Sequence, residues 1–264
     1  MNHRAGRAIV TGAAQGIGRR TVELLAEQKY ALALVDLRST TDLARSLRSQ
    51  GVEVMEFQGD ISEESTVSDL VSRIGKQWNH IDLLVNNAGI SSIHRAEKTT
   101  VAEFRRVVEV NLVAPFMLAQ VIGTKMLTSG KGSIVNVASI AGLVGIADRV
   151  AYNASKHGMI GLTRTLAAEW GGRGVRVNAV CPGWVKTEMD VADQSSGGYT
   201  DDDIINRVPM GRFASADDVA RAILFLADEE VSGFVNGHTL VVDGGWTADG
   251  SWEALRLRHR RPAS

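Results

Sequence analysis

Apolar residues in this chain fall into two kinds of stretch. Short, largely apolar runs occupy residues 8–11, 31–35, 52–58, 83–86, 133–137, 175–181 and 239–242, that at 31–35 without a break. Runs this short and continuous are expected of strands covered on both faces, as in a parallel sheet. Between them lie stretches with helical spacing, at 19–28, 41–50, 63–78, 100–129, 149–170 and 216–227. In the first of these, Val22, Leu24, Leu25 and Ala26 make the apolar side. Strand and helix in alternation predict an α/β fold: a Rossmann-like, doubly wound parallel sheet of about seven strands with helices on both faces and right-handed crossovers. One domain over residues 1–264 is expected.

Three features interrupt the pattern. Pro115, inside 100–129, removes a helical hydrogen bond and predicts a kink near Asn111. Residues 190–212 are polar and glycine-rich, with Ser195-Ser196-Gly197-Gly198-Tyr199 followed by Asp201-Asp202-Asp203. They read as a substrate lid or as a disordered loop. The tail, 249–264, is either disordered or anchored through Trp252 and Leu255 on a neighbouring subunit. Ser215 is placed to cap the helix at 216–227, with Asp217 and Asp218 in its first turn.

Composition narrows the function classes. A content of 44% hydrophobic and 22% charged residues suffices to bury a core. The formal charge of −1 argues against a nucleic-acid surface, and the local basic cluster is confined to Arg256-Leu257-Arg258-His259-Arg260-Arg261. No apolar run is read as membrane-spanning, and the first seven residues are too short and polar for a signal peptide. The single cysteine, Cys181, excludes an internal disulfide and fits a cytoplasmic protein; its apolar strand makes it a buried hydrophobe rather than a nucleophile. The six histidines and one cysteine show no metal-ligand spacing, so no metal is expected.

Candidate chemistry begins where the first run ends, in Gly12-Ala13-Ala14-Gln15-Gly16-Ile17-Gly18. Glycines there let the backbone turn sharply and approach a pyrophosphate, which the amides of the following helix can bind. The second run ends in Asp36, where a carboxylate accepts hydrogen bonds from the adenosine ribose and repels a 2′-phosphate. NAD is therefore expected over NADP, although Arg38 stands where an arginine can meet that phosphate. Asp60 and Asn87 follow other strand ends, on the side where such sheets bind ligands; turn capping explains each equally well. Tyr152 and Lys156, four residues apart, share a helix face, so the ammonium can favour the phenolate and make the tyrosine a general base. Ser139 lies just past the end of 133–137. It is not a hydrolase nucleophile, because Val137 stands where the elbow needs glycine. Gly130-Lys131-Gly132 lacks the upstream glycine and the Ser or Thr of a nucleotide-triphosphate loop.

Taken together, Thr11-Gly12-x-x-x-Gly16-Ile17-Gly18, Asn86-Asn87-Ala88-Gly89, Asn111, Ser139, Tyr152-x-x-x-Lys156 and Pro182-Gly183 resemble the short-chain dehydrogenase/reductase family in order and spacing, from about Gly6 to Thr247. The resemblance implies a hydride transfer between nicotinamide and a secondary alcohol or ketone, with Asn111, Ser139, Tyr152 and Lys156 catalytic. It implies cofactor contacts from Gly12, Gln15, Gly16, Ile17 and Gly18, from Asp36 and Leu37, from Asp60 and Ile61, and from Asn87, Ala88 and Gly89. Tyr152, Lys156, Pro182, Gly183, Val185 and Thr187 would complete the cofactor site, with Val185 on the carboxamide. It further implies that Asn111 holds a water linked to the lysine, and that the helices at 100–129 and 149–170 pack subunits into a homotetramer. Ser91, His94, Ser139, Val144, Arg149, Trp184, Met189 and Tyr199 are the candidate substrate contacts, a mix that fits a polyol, sugar or related hydroxy compound. Arg149 and Arg212 would instead suit an anionic substrate. A 3-oxoacyl thioester reductase and a non-catalytic dinucleotide sensor are the alternatives. Neither a nucleic acid nor a membrane is an expected partner.

Overall fold

The computed structural model describes residues 6–194 and 198–258. Seven strands, β1 (Arg7–Thr11), β2 (Ala31–Asp36), β3 (Val54–Gln58), β4 (Leu83–Asn86), β5 (Gly132–Val137), β6 (Val175–Pro182) and β7 (Thr239–Val242), form one parallel sheet in the order β3-β2-β1-β4-β5-β6-β7. The order reverses between β1 and β4, so the loops after these two strands diverge and leave a crevice at the carboxyl edge of the sheet. Helices α1 (Gly16–Glu27), α2 (Thr41–Ser49) and α9 (Ala216–Ala227) cover one face; α3 (Glu64–Gln77), α5 (Ala114–Ser129) and α6 (Val150–Trp170) cover the other.

The unbroken apolar strands follow from this double cover. On β1, Ile9 packs in one core while Ala8 and Val10 pack in the opposite one; on β2, Ala33 and Val35 oppose Leu32 and Leu34. Because side chains alternate along a strand, both sets must be apolar when neither face meets water.

The distortion expected at Asn111 is present as a turn of π-helix, Glu109–Val113, between α4 (Val101–Val108) and α5. Ala114 N–H donates to the Glu109 carbonyl five residues back. Pro115 has no N–H to give the Asn111 carbonyl, which is why the regular ladder slips here. Contrary to the sequence reading, the run Val101–Ser129 is long and apolar enough to cross a membrane, with a mean hydropathy of 1.6 over its best window. The core accounts for half of that window, where Leu118, Ile122 and Met126 are fully buried against the sheet.

The segment after β6 holds two short helices, α7 (Glu188–Gln194) and α8 (Asp201–Arg207), in place of a disordered loop. Thr200 and Asp203 form a reciprocal cap on α8, as Ser215 and Asp218 do on α9. Ser195, Ser196 and Gly197 lie outside the described residues. After the four-residue α10 (Glu229–Ser232) and β7, the tail forms α11 (Glu253–Arg258). Within the chain Arg256 holds it: the guanidinium pairs with Asp249 at 2.8 Å and donates to the Asn206 carbonyl at the end of α8. Trp252 is 71% exposed. Residues 259–264, with His259, Arg260 and Arg261 of the basic cluster, lie outside the described residues.

Candidate active site

A cavity of about 390 Å³ opens at the crevice between the β1 and β4 ends. At one side is the glycine turn, where three glycines do different work. Gly12 and Gly16 adopt φ of +66° and +53°, which L side chains rarely tolerate. A Cβ on Gly12 would also stand 2.9 Å from Ala88 Cα. Gly18 does not line the cavity; a Cβ there would overlap the Gly12 carbonyl oxygen, so it lets α1 pack under the turn. Asn87 belongs to the same construction. Its side-chain amide donates to the carbonyls of Thr11 (2.9 Å) and Gly12 (3.1 Å), and Thr11 Oγ1 accepts from the Asn87 and Ala88 amides at 3.0 Å. The turn-capping role thus claims the Asn87 side chain, and its flank faces the cavity.

The turn fits a pyrophosphate. Gln15, at the N-cap of α1, makes no capping bond, and the first turn carries no acidic residue, so the helix offers its first amides to an anion. The Gln15 side chain instead accepts from Arg38 across the cavity mouth. Asp36 accepts from the Ala14 amide at 2.9 Å and from the Arg38 amide at 2.8 Å, which fixes its carboxylate beside Leu37 at the cavity edge. Asp60 and Ile61 line the next stretch. Burial alone would raise the Asp60 pKa, but hydrogen bonds from Ser62 and Arg106 outweigh it and hold the carboxyl below its ordinary value. Arg106, 2.5 Å from Asp60, was not foreseen; it comes from α4, far along the chain, and no local pattern marks it.

Across the cavity lie Ser139, Tyr152 and Lys156. Ser139 follows β5 and caps a 3₁₀ turn, accepting from the Ala141 amide at 3.1 Å. It also faces the Tyr152 phenol, where its hydroxyl favours the phenolate. Lys156 is 4% exposed, donates to the Val137 carbonyl at 2.8 Å and stands 5.5 Å from the centre of the Tyr152 ring. Burial lowers its pKa to about 8. The pairing does not by itself yield a phenolate: burial pushes the Tyr152 pKa above its ordinary value, and the Ser139 hydroxyl and the Arg149 charge only partly offset it. The expected effect of the lysine on the free enzyme is therefore overturned by desolvation.

Asn111 is fully buried, and its carboxamide is already paired. Its Nδ2 donates to the Ile90 carbonyl (2.9 Å) and Ser155 Oγ (3.2 Å), and its Oδ1 accepts from the Ile90 amide (2.8 Å). The side chain thus clamps the loop after Gly89, and its backbone carbonyl is the group that Pro115 leaves without a donor at the next turn. Cys181 lies buried beneath this site, and burial raises its pKa to about 11, an inert thiol.

Pro182, Gly183, Val185 and Thr187 carry the lining from β6 toward α7, with Trp184, Met189, Tyr199 and Arg149 at the far end. Three candidate substrate contacts lie elsewhere. Ser91 sits behind Arg149, whose Nη1 donates to its hydroxyl at 2.7 Å. His94 faces Glu103 at 3.2 Å and lines a neighbouring cavity, because its backbone is bound to Asp148 and aligned with Arg149. Val144 is tied back to the 3₁₀ turn through the Ile140 carbonyl, and Ile146 lines the cavity in its place. Asp190 and Asp193, which sequence reasoning missed, also line it. Arg149 pairs with Asp193 at 2.8 Å and Arg212 with Asp218 at 2.7 Å, so neither is a spare cation for an anionic substrate.

A family model described as enoyl-(acyl carrier protein) reductase matches residues 12–247. D-threitol dehydrogenase of Mycolicibacterium smegmatis is 38% identical over 242 residues, covering 91% of this chain and 92% of the relative. The chain belongs to the short-chain dehydrogenase/reductase family. An NAD-dependent glycerol dehydrogenase of Listeria innocua is 34% identical, covering 91% of this chain and 93% of its own. A gluconate 5-dehydrogenase of Burkholderia cenocepacia, solved with NADP and tartrate, superposes with a TM-score of 0.87 at 31% identity, covering 94% and 97% of the two chains. As a short-chain dehydrogenase/reductase, the protein is an NAD(P)-dependent oxidoreductase acting on CH–OH groups.

Proposed function

We propose that the enzyme uses NAD to interconvert a secondary alcohol of a polyol, sugar or related hydroxy compound with its ketone. The observation that carries this reading is the convergence of Ser139, Tyr152 and Lys156 on the same cavity as the glycine turn and Asp36. When bound, the oxidised nicotinamide supplies the hydride acceptor and a positive charge beside the phenol. Tyr152, as phenolate, removes the hydroxyl proton while the carbinol hydrogen leaves as hydride. Ser139 holds the reacting oxygen, Lys156 holds ribose hydroxyls and stabilises the phenolate, and the Asn111 carbonyl holds a water through which the proton leaves. The bare amides of α1 and the loop after β4 hold the pyrophosphate, Asp36 the adenosine ribose, and Asp60 and Ile61 the adenine. Pro182, Gly183, Val185 and Thr187 hold the nicotinamide end.

NAD is preferred because the Asp36 carboxylate, held at the end of β2, would accept from the adenosine ribose and repel a 2′-phosphate, with Arg38 engaged by Gln15. The segment 190–212 acts as a substrate lid within a single-domain enzyme. The enzyme works in the cytoplasm, where its lone thiol stays reduced, and assembles as a homotetramer, a reading supported by exposed apolar groups such as Phe116 on α5. The test is reduced-nicotinamide absorbance with NAD and with NADP across polyols, sugars, hydroxy acids and hydroxyacyl thioesters. Tyr152→Phe should abolish turnover while leaving NAD binding intact; a variant retaining a tenth of wild-type activity sinks the assignment.

A further inference from the structure

We infer that Asp190 and Asp193 make the substrate end of the cavity selective for an uncharged polyhydroxy compound and against anions; this rests on the oxidoreductase reading above. Both carboxylates come from α7 and line the cavity. Asp193 cancels the Arg149 charge in a pair whose side chains are only 11% and 15% exposed. Asp190 is 5% exposed, and Tyr199 donates to its Oδ1 at 2.9 Å. Burial and Asp190 both raise the Tyr199 pKa, so that phenol stays a neutral donor. The Asp190 Oδ2 accepts no aligned hydrogen bond, and its nearest cation, Lys186 at 3.2 Å, lies closer to Asp201 at 2.5 Å. With Asp193 set against Arg149, and Asp190 and Asp201 both set against Lys186, this end of the cavity carries negative charge in excess, and Asp190, whose Oδ2 is closed off, acts on a ligand through that charge.

Such a wall repels a carboxylate or phosphate and leaves an uncharged hydroxyl group unopposed. The Trp184 and Tyr199 rings, edge to face with centres 6.5 Å apart, give the carbon backbone of a polyol an apolar surface beside those carboxylates. A phosphate-bearing acyl thioester finds no spare cation at this end of the cavity among the described residues.

The test titrates the enzyme–NADH complex, by nicotinamide fluorescence, with threitol and with tartrate, the dicarboxylate on the same four-carbon skeleton. Threitol should bind at least tenfold more tightly. Asp190→Asn, which removes the excess charge, should tighten tartrate about threefold, and Asp193→Asn, which releases Arg149, should tighten it at least tenfold. Thermal melts establish that both variants fold, and the wild-type ratio stands as a test without them. The inference is overturned if tartrate binds as tightly as threitol, if threitol does not bind, or if folded Asp193→Asn leaves the ratio unchanged. Selective threitol binding without NADH formation when NAD replaces NADH would instead count against the oxidoreductase reading of this alcohol class, while turnover with NAD but no discrimination in binding would count against the charge selection alone.

Discussion

Replacing Lys156 by methionine should abolish activity and make the nucleotide-free protein more stable. The ammonium is 4% exposed, and burial takes its pKa from the ordinary 10.5 to about 8. That drop corresponds to about 3 kcal/mol of destabilisation at neutral pH. The sign follows from proton uptake. Below pH 8 the lysine is charged in both the folded and the unfolded chain, so the full cost is present; above pH 8 the folded protein releases its proton first. The cost then fades and is gone near pH 10.5, where both states are neutral. Methionine of similar length removes the charge but leaves the Val137 carbonyl without its donor, a loss of about 1 kcal/mol. The net gain is about 2 kcal/mol, or roughly 6 °C in Tm for a chain of this size. Thermal unfolding of wild type and Lys156→Met at pH 7 and pH 10 reads it directly. A variant no more stable at pH 7, or a difference that does not shrink toward pH 10, would refute the reasoning.

Two further perturbations probe the frame around the site. Gly18→Ala sets a methyl against the Gly12 carbonyl and 2.5 Å from Asn87 Nδ2, so the turn must shift; we expect a loss of about 3 kcal/mol in urea unfolding and at least tenfold weaker NADH binding by fluorescence, and unchanged values would contradict the packing role. Arg256→Ala frees the tail from Asp249 and Asn206; because Arg207 of α8 also stacks on Trp246, which packs on Trp184, substrate KM should rise at least threefold with NAD affinity unchanged, and an unmoved KM together with unaltered proteolysis of the tail would remove the coupling.

The sheet was readable because its strands are buried on both faces, which leaves an unbroken apolar signature in residues such as Leu32 to Val35. The glycine turn and the Ser139, Tyr152 and Lys156 group were readable because each occupies a fixed offset from a strand end or a helical turn. Arg106, Asp190 and Asp193 were not, since each reaches the cavity from an element placed by tertiary packing, and an exposed-looking Arg or Asp has no periodicity to betray it. His94 and Ser91 failed for the complementary reason. They stand near the site in sequence, but Glu103 and Arg149 claim their side chains.

The energetic role of the Tyr152 and Lys156 pair also escapes a reading of spacing alone. Spacing places an ammonium near a phenol and implies an acidified tyrosine; burial of both groups reverses that sign in the free enzyme, raising the one pKa and lowering the other. Two charge-disfavouring shifts side by side mean the site resists creating the phenolate until something else stabilises it. The neighbouring groups pull in opposite directions, since Ser139 and Arg149 favour the phenolate while Asp193 opposes it. Because Asp193 sits on α7 and Arg149 at the start of α6, the position of α7 sets how much of the Arg149 charge Tyr152 feels. The same helix that lines the substrate end thereby bears on the acidity of the group that must take the substrate's proton.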